Sequence, residues 1–414
     1  MMPFFDDRER KMALLMLILF LIEFVLLVVF IPANNDVAVF FDQSQQFKDG
    51  TLFIDGAFSE YPPLAWAVIL FPGLFTDDFQ IYFIIFAGID LVCMFLTGLL
   101  LMKICRGRTA YLPILIVVYI TITMLYMDQA IFKFDIVTVL LMAISIYGFV
   151  NRRYHVAMVF AVLGASIKLF PVLLLPVFII MHLREREELK RLLKAMATVF
   201  AVASLLLAVL LLFGVDSELL FGFITYQSDR GFHEESVFGT ITVIICKLFN
   251  ITTTYSERYH ALDIHNIICD TVIGYWTMIM AAVLLITLCV LVYERFRMDE
   301  GKERFVFFAQ SATILFLVFI MINKVFSTQF IQWLYPLFIM LLCYLGRRQT
   351  IAMSVVFIVI VSLSRIYLAI SYRDMDIAQC ILFFRDIVMI GLLVLLFVMI
   401  HRMGKTSDPS LIRT

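Results

Sequence analysis

The sequence predicts an all-α protein that crosses a membrane many times. Of its 414 residues, 63% are apolar and 16% are charged, and the mean hydropathy is +1.00. Soluble globular domains contain about 45–50% apolar and about 25% charged residues, so this composition excludes that class. The formal net charge of −1 gives no reason to expect a nucleic acid as partner.

Apolar runs of about 17–25 residues mark the membrane spans, because a helix of that length crosses about 30 Å of hydrocarbon. Such runs are predicted at 12–31, 79–104, 110–127, 134–150, 192–214, 271–293, 305–322, 331–346, 350–370 and 378–401. The stretch 154–182 is interrupted by Lys168 and Pro171, and we expect two short spans with Lys168 at their apex. Two further pieces, 64–75 and 238–249, are too short to cross and are predicted to be re-entrant or interfacial. The total is about twelve crossings.

Basic residues set the predicted orientation. About 22 of the 32 Lys and Arg residues fall on one side when the N-terminus is cytoplasmic, the asymmetry expected from the positive-inside rule. Both termini then face the cytoplasm, with 402–414 as a tail, and segments 32–78 and 215–270 become extracytoplasmic loops. The first span is expected to be retained, because no small-residue cleavage site follows it.

Four polar blocks carry the residues suited to chemistry. They are NDVAVFFDQSQQFKDGTLFIDGAFSEYPP (35–63), SIKLFP (166–171), DRGFHEES (229–236) and NKVFSTQFIQWLYP (323–336). Polar residues collect in the outer segments, whereas the cytoplasmic loops are short and basic, so a site is expected on the extracytoplasmic face. Nucleotide hydrolysis and metal-water chemistry lack support, since no P-loop, dinucleotide-binding glycine pattern or zinc spacing occurs. Neither a cofactor nor a metal is predicted.

In this order the four blocks resemble the GT-C superfamily of integral-membrane glycosyltransferases, and most closely glycosyltransferase family 87, the polyprenyl-phosphate-mannose-dependent α-mannosyltransferases. SIKLFP and NKVFSTQFIQW are also similar to the first mannosyltransferase of GPI-anchor synthesis. The resemblance implies a single GT-C transmembrane domain (1–414) in a prokaryotic cell membrane. It also implies an inverting transfer of a hexose, mannose by expectation, from a polyprenyl-phosphate donor to a glycolipid or glycan acceptor among membrane lipids.

One carboxylate suffices for such a transfer. The departing phosphate is a weak base with a second pKa of about 6, so no general acid is needed to protonate it, and one base must take the acceptor's proton. In the resemblance the acid just after the first span has this role, which is Asp36 here. Its alternative is a helix N-cap or a solvated turn residue. Many GT-C enzymes carry a second acid nearby, where this chain has Val37, Ala38 and Val39.

Cations are expected around the departing phosphate, because preorganised positive charge stabilises it. The predicted donor-phosphate ligands are Lys168, Arg230, Lys324, Arg365 and Arg385. Their alternatives are snorkelling for the two lysines, a loop salt bridge for Arg230, and pairing with Asp374, Asp376 or Asp386 for the other two arginines.

Sugar and acceptor contacts are expected from acids, an amide and aromatic side chains. The predicted residues are Asp55, Glu60, Tyr61, Glu235, Gln329 and Trp333. Gln329 and Trp333 are one α-helical turn apart and would share a face. The acids could equally be solvated, and Trp333 could be an interfacial anchor.

Two other functions stay open at this point. A lipid or sugar transporter, or a flippase, would also have about twelve spans with buried charges, although it would usually show internal repeats that we do not find. A ligase or polymerase of lipid-linked glycans is the third reading. A disulfide between Cys246 and Cys269 is also possible from their predicted outer positions.

Overall fold

A computed structural model describes residues 5–30, 35–51, 60–258, 261–298, 304–371 and 373–403. The chain forms two compact units, Met1–Tyr226 and Gln227–Thr414. Both consist mainly of apolar helices, as the composition predicts.

The first unit contains helices of very different length. They are α1 (Asp7–Phe30), α2 (Asn35–Lys48), α3 (Ala65–Gly73), α4 (Phe79–Cys105), α5 (Leu112–Met124), α6 (Met127–Ile131), α7 (Asp135–Val150), α8 (Tyr154–Ala165), α9 (Leu174–His182), α10 (Arg186–Leu212) and α11 (Ser217–Ser228), the last of which runs across the unit boundary. A 3-10 turn, Phe170–Leu173, precedes α9. Helix α7 packs against α4 and α8, and α1 packs on α4.

Helices α7 and α8 form a tight antiparallel hairpin. A Cβ on Gly148 would lie 2.8 Å from the backbone nitrogen of Ala157, so only glycine allows this approach. The Ser145 hydroxyl donates to the Ala157 carbonyl at 2.7 Å. Because the two helices run in opposite directions, the first residue of α7, Asp135, lies at the same end of the hairpin as the residues that follow α8.

The chain breaks after α8, as the sequence predicts for 154–182. The helix ends at Ala165, and the amides of Ile167 and Lys168 both donate to the Gly164 carbonyl in a closing turn. Pro171 has no amide hydrogen and restricts the residue before it, so a continuous helix is disfavoured at this point. Two short helices flank Lys168 as predicted, whereas their role as membrane spans stays a prediction.

The second unit combines helices with a small sheet. Its helices are α12 (Val237–Leu248), α13 (Ile267–Val272), α14 (Trp276–Arg297), α15 (Arg304–Ile322), α16 (Tyr335–Leu342), α17 (Arg347–Ile370) and α18 (Met375–Met403), with 3-10 turns at Ile273–Tyr275 and Thr328–Leu334. The α17 and α18 helices pack together, and α18 also contacts α12 and α15. Cys246 and Cys269 are buried free thiols, so the disulfide left open above is not formed.

The sheet is a departure from the all-α prediction. Strands β1 (Phe232–His233), β2 (Thr254–Arg258) and β3 (Ala261–His265) pair antiparallel in the order β1-β3-β2. Phe232 pairs with Ile264, and both side chains are buried with Trp276. Strands of two to five residues are too short to show an alternating pattern, which is why the sequence did not reveal them.

Long apolar helices occur at most of the positions where the sequence predicts membrane spans. Seven helical segments in the described residues are long and apolar enough to cross a membrane: Asp7–Phe30, Phe79–Cys105, Arg186–Leu212, Ile267–Arg297, Arg304–Ile322, Arg347–Ile370 and Met375–Met403. Shorter apolar helices occupy most of the other predicted positions. The chain is thus a polytopic membrane protein, whereas the GT-C fold, the count of twelve crossings and the orientation stay predictions.

Candidate active site

Asp36 lies in the first turn of α2, directly after the apolar α1. An acidic side chain is favoured there because the amino end of a helix carries partial positive charge. Its carboxylate forms an ion pair with the ammonium of Lys133 in the turn between α6 and α7. Each side chain keeps roughly a quarter of its surface accessible, 30% for Asp36 and 24% for Lys133. Asp36 is therefore oriented by a cation and can still be reached.

Phe134, the neighbour of Lys133, connects Asp36 to two other predicted site residues. Its ring centroid lies 5.7 Å from that of Phe40, one helical turn after Asp36, and 5.0 Å from that of Tyr61. The Lys168 ammonium lies 4.8 Å from the Phe134 ring centroid. The Leu64 amide also donates to the Ser166 carbonyl at 2.9 Å, which ties the two blocks together. The segment 133–135 thus gathers Asp36, Tyr61 and Lys168.

Lys168 forms an ion pair rather than snorkelling to an interface. Its ammonium donates to the Asp135 carboxylate at 2.6 Å. The Asp135 side chain is fully buried and that of Lys168 is 13% exposed. A buried carboxylate needs such a partner, because its desolvation would otherwise be very costly. While it is paired with Asp135, Lys168 adds little net positive charge to its surroundings.

Glu60 and Tyr61 lie beside this pair, while Asp55 falls outside the described residues. Burial raises the pKa of the Tyr61 hydroxyl well above its ordinary value, and the nearby Glu60 carboxylate adds to the rise. Tyr61 therefore stays protonated and donates its hydrogen bond to Glu60. Asp36, Glu60, Tyr61 and Lys168 are the predicted site residues that the first unit brings together.

Sequence reasoning missed three charged residues of the first unit, namely Lys133, Asp135 and Asp90. Asp90 lies near the middle of α4, and neither of its buried carboxylate oxygens has a hydrogen-bond partner among the described residues. A signal was available for Asp90, since an ionisable residue inside a span usually marks function. Lys133 and Asp135 flank Phe134 at the start of a predicted span, where they resemble ordinary boundary charges.

In the second unit, loop 229–236 contacts segment 323–328. The His233 amide donates to the Lys324 carbonyl at 2.8 Å, and the Lys324 ammonium donates to the Ser228 carbonyl at 2.7 Å. The Thr328 amide donates to the Glu235 carboxylate. Two of the four sequence blocks are thus in direct contact, with Glu235 holding segment 323–328 at its carboxyl end, where the 3-10 helix Thr328–Leu334 begins.

Two buried groups of this loop titrate unusually. Burial raises the pKa of Glu234 from 4.5 to about 7, and the neighbouring Glu235 carboxylate contributes. Burial lowers the pKa of His233, although the Glu235 carboxylate opposes that shift. Near neutral pH, His233 is uncharged and Glu234 is partly protonated.

Arg385 is fully buried, and its Nε and Nη2 are paired within the unit, whereas its Nη1 has no hydrogen-bond partner among the described residues. Its guanidinium donates to the Asp386 carboxylate at 2.7 Å and to the Glu235 carbonyl at 2.7 Å, and it lies 4.5 Å from the Phe326 ring centroid. The pairing of Arg385 with Asp386, one of the sequence alternatives, is confirmed. The other predicted arginine of these helices, Arg365, is half-buried in α17.

Arg230 lines a cavity of about 300 Å³ together with Asp229, Asp263, His265 and Asp270. Burial lowers the pKa of the nearby Lys324, while the carboxylates of Asp263 and Asp229 oppose that shift. Three carboxylates against one guanidinium make this cavity unfavourable for a phosphate unless further cations face it.

The prediction that Gln329 and Trp333 share a face is wrong. It assumed 3.6 residues per turn, but Thr328–Leu334 is a 3-10 helix with about three residues per turn, so Gln332 follows Gln329 on the same side. Trp333 is buried and stacks on Phe330 with ring centroids 3.9 Å apart. The buried Gln332 amide, which sequence reasoning missed, finds no hydrogen-bond partner for either polar atom within the described ranges.

The part of the chain that the structure describes contains no cluster of three His, Cys, Asp or Glu side chains suited to a metal ion. No curated protein matches the sequence. The family model of glycosyltransferase family 87 matches residues 58–321, a range that includes Lys168 and Arg230 but begins after Asp36 and ends before Lys324. Because this match covers well over half of the chain, the protein belongs to glycosyltransferase family 87.

Proposed function

We propose that this glycosyltransferase is an inverting enzyme that transfers mannose from a polyprenyl-phosphate carrier to a lipid or glycan acceptor on the extracytoplasmic face. The observation that carries the proposal is the Asp36–Lys133 ion pair beside the Lys168–Asp135 pair at the end of apolar helices. A lipid-linked donor needs charged groups at the end of apolar helices, because its lipid chain lies in the bilayer while its sugar reaches water.

Asp36 acts as the base. Its carboxylate accepts the proton of the acceptor hydroxyl while that oxygen attacks the anomeric carbon. The bond from this carbon to the phosphate oxygen breaks, and its electron pair leaves with the polyprenyl phosphate. A single displacement inverts the configuration. One carboxylate is enough, in contrast to the two of most glycosidases.

Lys133 positions this base. An ammonium in contact with the carboxylate stabilises its anionic form and restricts its rotation. Lys133 also offers a cation at the reaction centre that can turn toward the donor phosphate while the proton moves. We therefore add Lys133 to the site as a positioning residue.

Lys168, Arg230, Lys324 and Arg365 are kept as proposed ligands of the donor phosphate. Lys168 has the clearest support, because it lies beside the aromatic ring of Phe134 in the same group as Asp36. Arg385 is given a second role beside its predicted one at the phosphate, since its Nε and Nη2 already serve Asp386 and Glu235 while its Nη1 is still available. We propose that it holds loop 229–236 in place.

Sugar recognition is proposed for the remaining predicted residues. Glu60 and Tyr61 form a hydrogen-bonded acid and ring next to Lys168, a combination suited to sugar hydroxyls and to a ring face. The other proposed contacts to the sugar or the acceptor are Asp55, Glu235, Gln329 and Trp333. Trp333 is buried and would act by supporting Phe330, on which it stacks.

The donor is tested with the purified full chain and four labelled compounds: polyprenyl-phosphate mannose, polyprenyl-phosphate glucose, a nucleotide-activated mannose and a pyrophosphate-linked oligosaccharide. A glycolipid extract serves as acceptor, and mass spectrometry detects the gain of one hexose. Transfer from polyprenyl-phosphate mannose, with an inverted linkage by NMR, is the expected result. Transfer from the nucleotide sugar alone would contradict the proposed donor, and transfer of a whole oligosaccharide from a pyrophosphate carrier would favour the ligase reading.

A further inference from the structure

A cavity of about 430 Å³ lies at the turn between α7 and α8 and the first turns of α10. It is lined by Arg152, Arg153, Tyr154, His155, Val156, Arg191 and Lys194. None of these residues belongs to the proposed transfer site. We propose that this cavity binds the headgroup of an anionic phospholipid, whose acyl chain then runs along α8.

Charge is the first support for this proposal. Arg152, Arg153, Arg191 and Lys194 place four cations around the cavity, and all four side chains are exposed. One carboxylate, Glu188, contacts two of them, at 3.2 Å from Arg152 and 3.3 Å from Arg191. This excess of positive charge favours binding of an anion at the cavity.

The donors are also preorganised. Glu188 accepts a hydrogen bond from the buried Tyr154 hydroxyl at 2.5 Å, and that hydroxyl lies 3.1 Å from His182. Glu188 is thereby fixed and holds the two guanidiniums at the rim. Each guanidinium has five N–H donors and uses few of them on Glu188, so several stay available for a phosphodiester. The positive end of α8, which starts at Tyr154, adds to the same field.

An apolar surface distinguishes a lipid from a soluble phosphate. Val156 lines the cavity, and Val159 and Leu163 follow it at helical spacing along α8. These three side chains are 36%, 39% and 37% exposed. The stripe runs about 10 Å from headgroup to Leu163, given the rise of a helix. A cationic pocket that continues into an exposed apolar stripe fits a phospholipid better than a free anion.

Native mass spectrometry of the full chain tests the proposal by comparing retention of phosphatidylglycerol and phosphatidylcholine. Arg153→Ala combined with Lys194→Ala removes two exposed cations of the cavity. The matched control, Arg347→Ala with Arg348→Ala, removes two exposed cations from the first turn of α17. Each basic residue contributes about five-fold to binding of an anionic lipid, so a loss of about 25-fold in phosphatidylglycerol affinity is expected for the cavity variant alone.

Two results would overturn the proposal. Equal loss in both variants would mean that the basic surface attracts anionic lipid without a site. Displacement of phosphatidylglycerol by glycerol phosphate at similar concentrations would mean that the acyl chain contributes nothing and that the cavity serves a soluble anion. Because all four substituted residues are exposed, thermal unfolding of both variants is expected to match the wild type, which keeps binding separate from folding.

Discussion

Replacing Lys168 separates its structural role from its proposed role at the donor phosphate. Lys168→Met leaves the Asp135 carboxylate without the ammonium at 2.6 Å, in a place where the Asp135 side chain has no exposed surface. Breaking a buried pair by removing one partner costs about 3–5 kcal/mol. Since about 1.4 kcal/mol is a tenfold change in an equilibrium constant, the equilibrium constant for folding falls by roughly 100- to 4,000-fold.

The double variant Lys168→Met with Asp135→Asn removes both charges and keeps the volume. It is expected to recover most of that stability, because no buried charge is left alone. Donor use is expected to stay impaired, with a higher KM for the polyprenyl-phosphate donor and an acceptor KM close to the wild type. Thermal unfolding in detergent measures the first effect and initial rates measure the second. Wild-type stability in Lys168→Met would refute the ion pair, and a wild-type donor KM in the double variant would refute the phosphate role.

Two further predictions concern the second unit. Because burial raises the pKa of Glu234 from 4.5 to about 7, the folded state keeps a proton that the unfolded state releases, so stability falls by about 3 kcal/mol as pH rises between these values and is then level. Thermal midpoints at pH 5 and pH 8 should differ less in Glu234→Gln than in the wild type, and equal differences would count against the raised pKa. Asp386→Leu should destabilise the protein by about 3–5 kcal/mol, because Arg385 is fully buried beside it. Adding Arg385→Met should restore much of the loss in the same unfolding assay, and no recovery would show that the Arg385 contact with Glu235 matters more than the ion pair.

Helix positions could be read from the sequence because length and apolar content determine them. The predicted span 79–104 corresponds to Phe79–Cys105, and the predicted re-entrant piece 238–249 corresponds to Val237–Leu248. The interruption at Lys168 was visible because proline ends a helix for local steric reasons. These features are determined by residues close together in the chain, so they can be predicted from a single sequence.

The partners of charged residues could not be read in the same way. From the sequence, Lys168 is a candidate phosphate ligand with snorkelling as the alternative, whereas its partner in the structure, Asp135, is 33 residues away in the chain. The antiparallel packing of α7 and α8 creates that contact, and no local pattern records it. The 3-10 geometry around Gln329 was equally hidden, because a change from 3.6 to 3.0 residues per turn leaves the composition unchanged.

Turnover of Asp36→Asn tests the central claim most directly. The substitution keeps the shape of the side chain and an oxygen toward Lys133 but removes the proton acceptor, so kcat is expected to fall by about 10²- to 10⁴-fold with donor binding retained. Asp49→Asn, at an exposed carboxylate just after the end of α2, is the matched control and should turn over like the wild type. Turnover of Asp36→Asn within a few-fold of the wild type would contradict the assignment of Asp36 as the base.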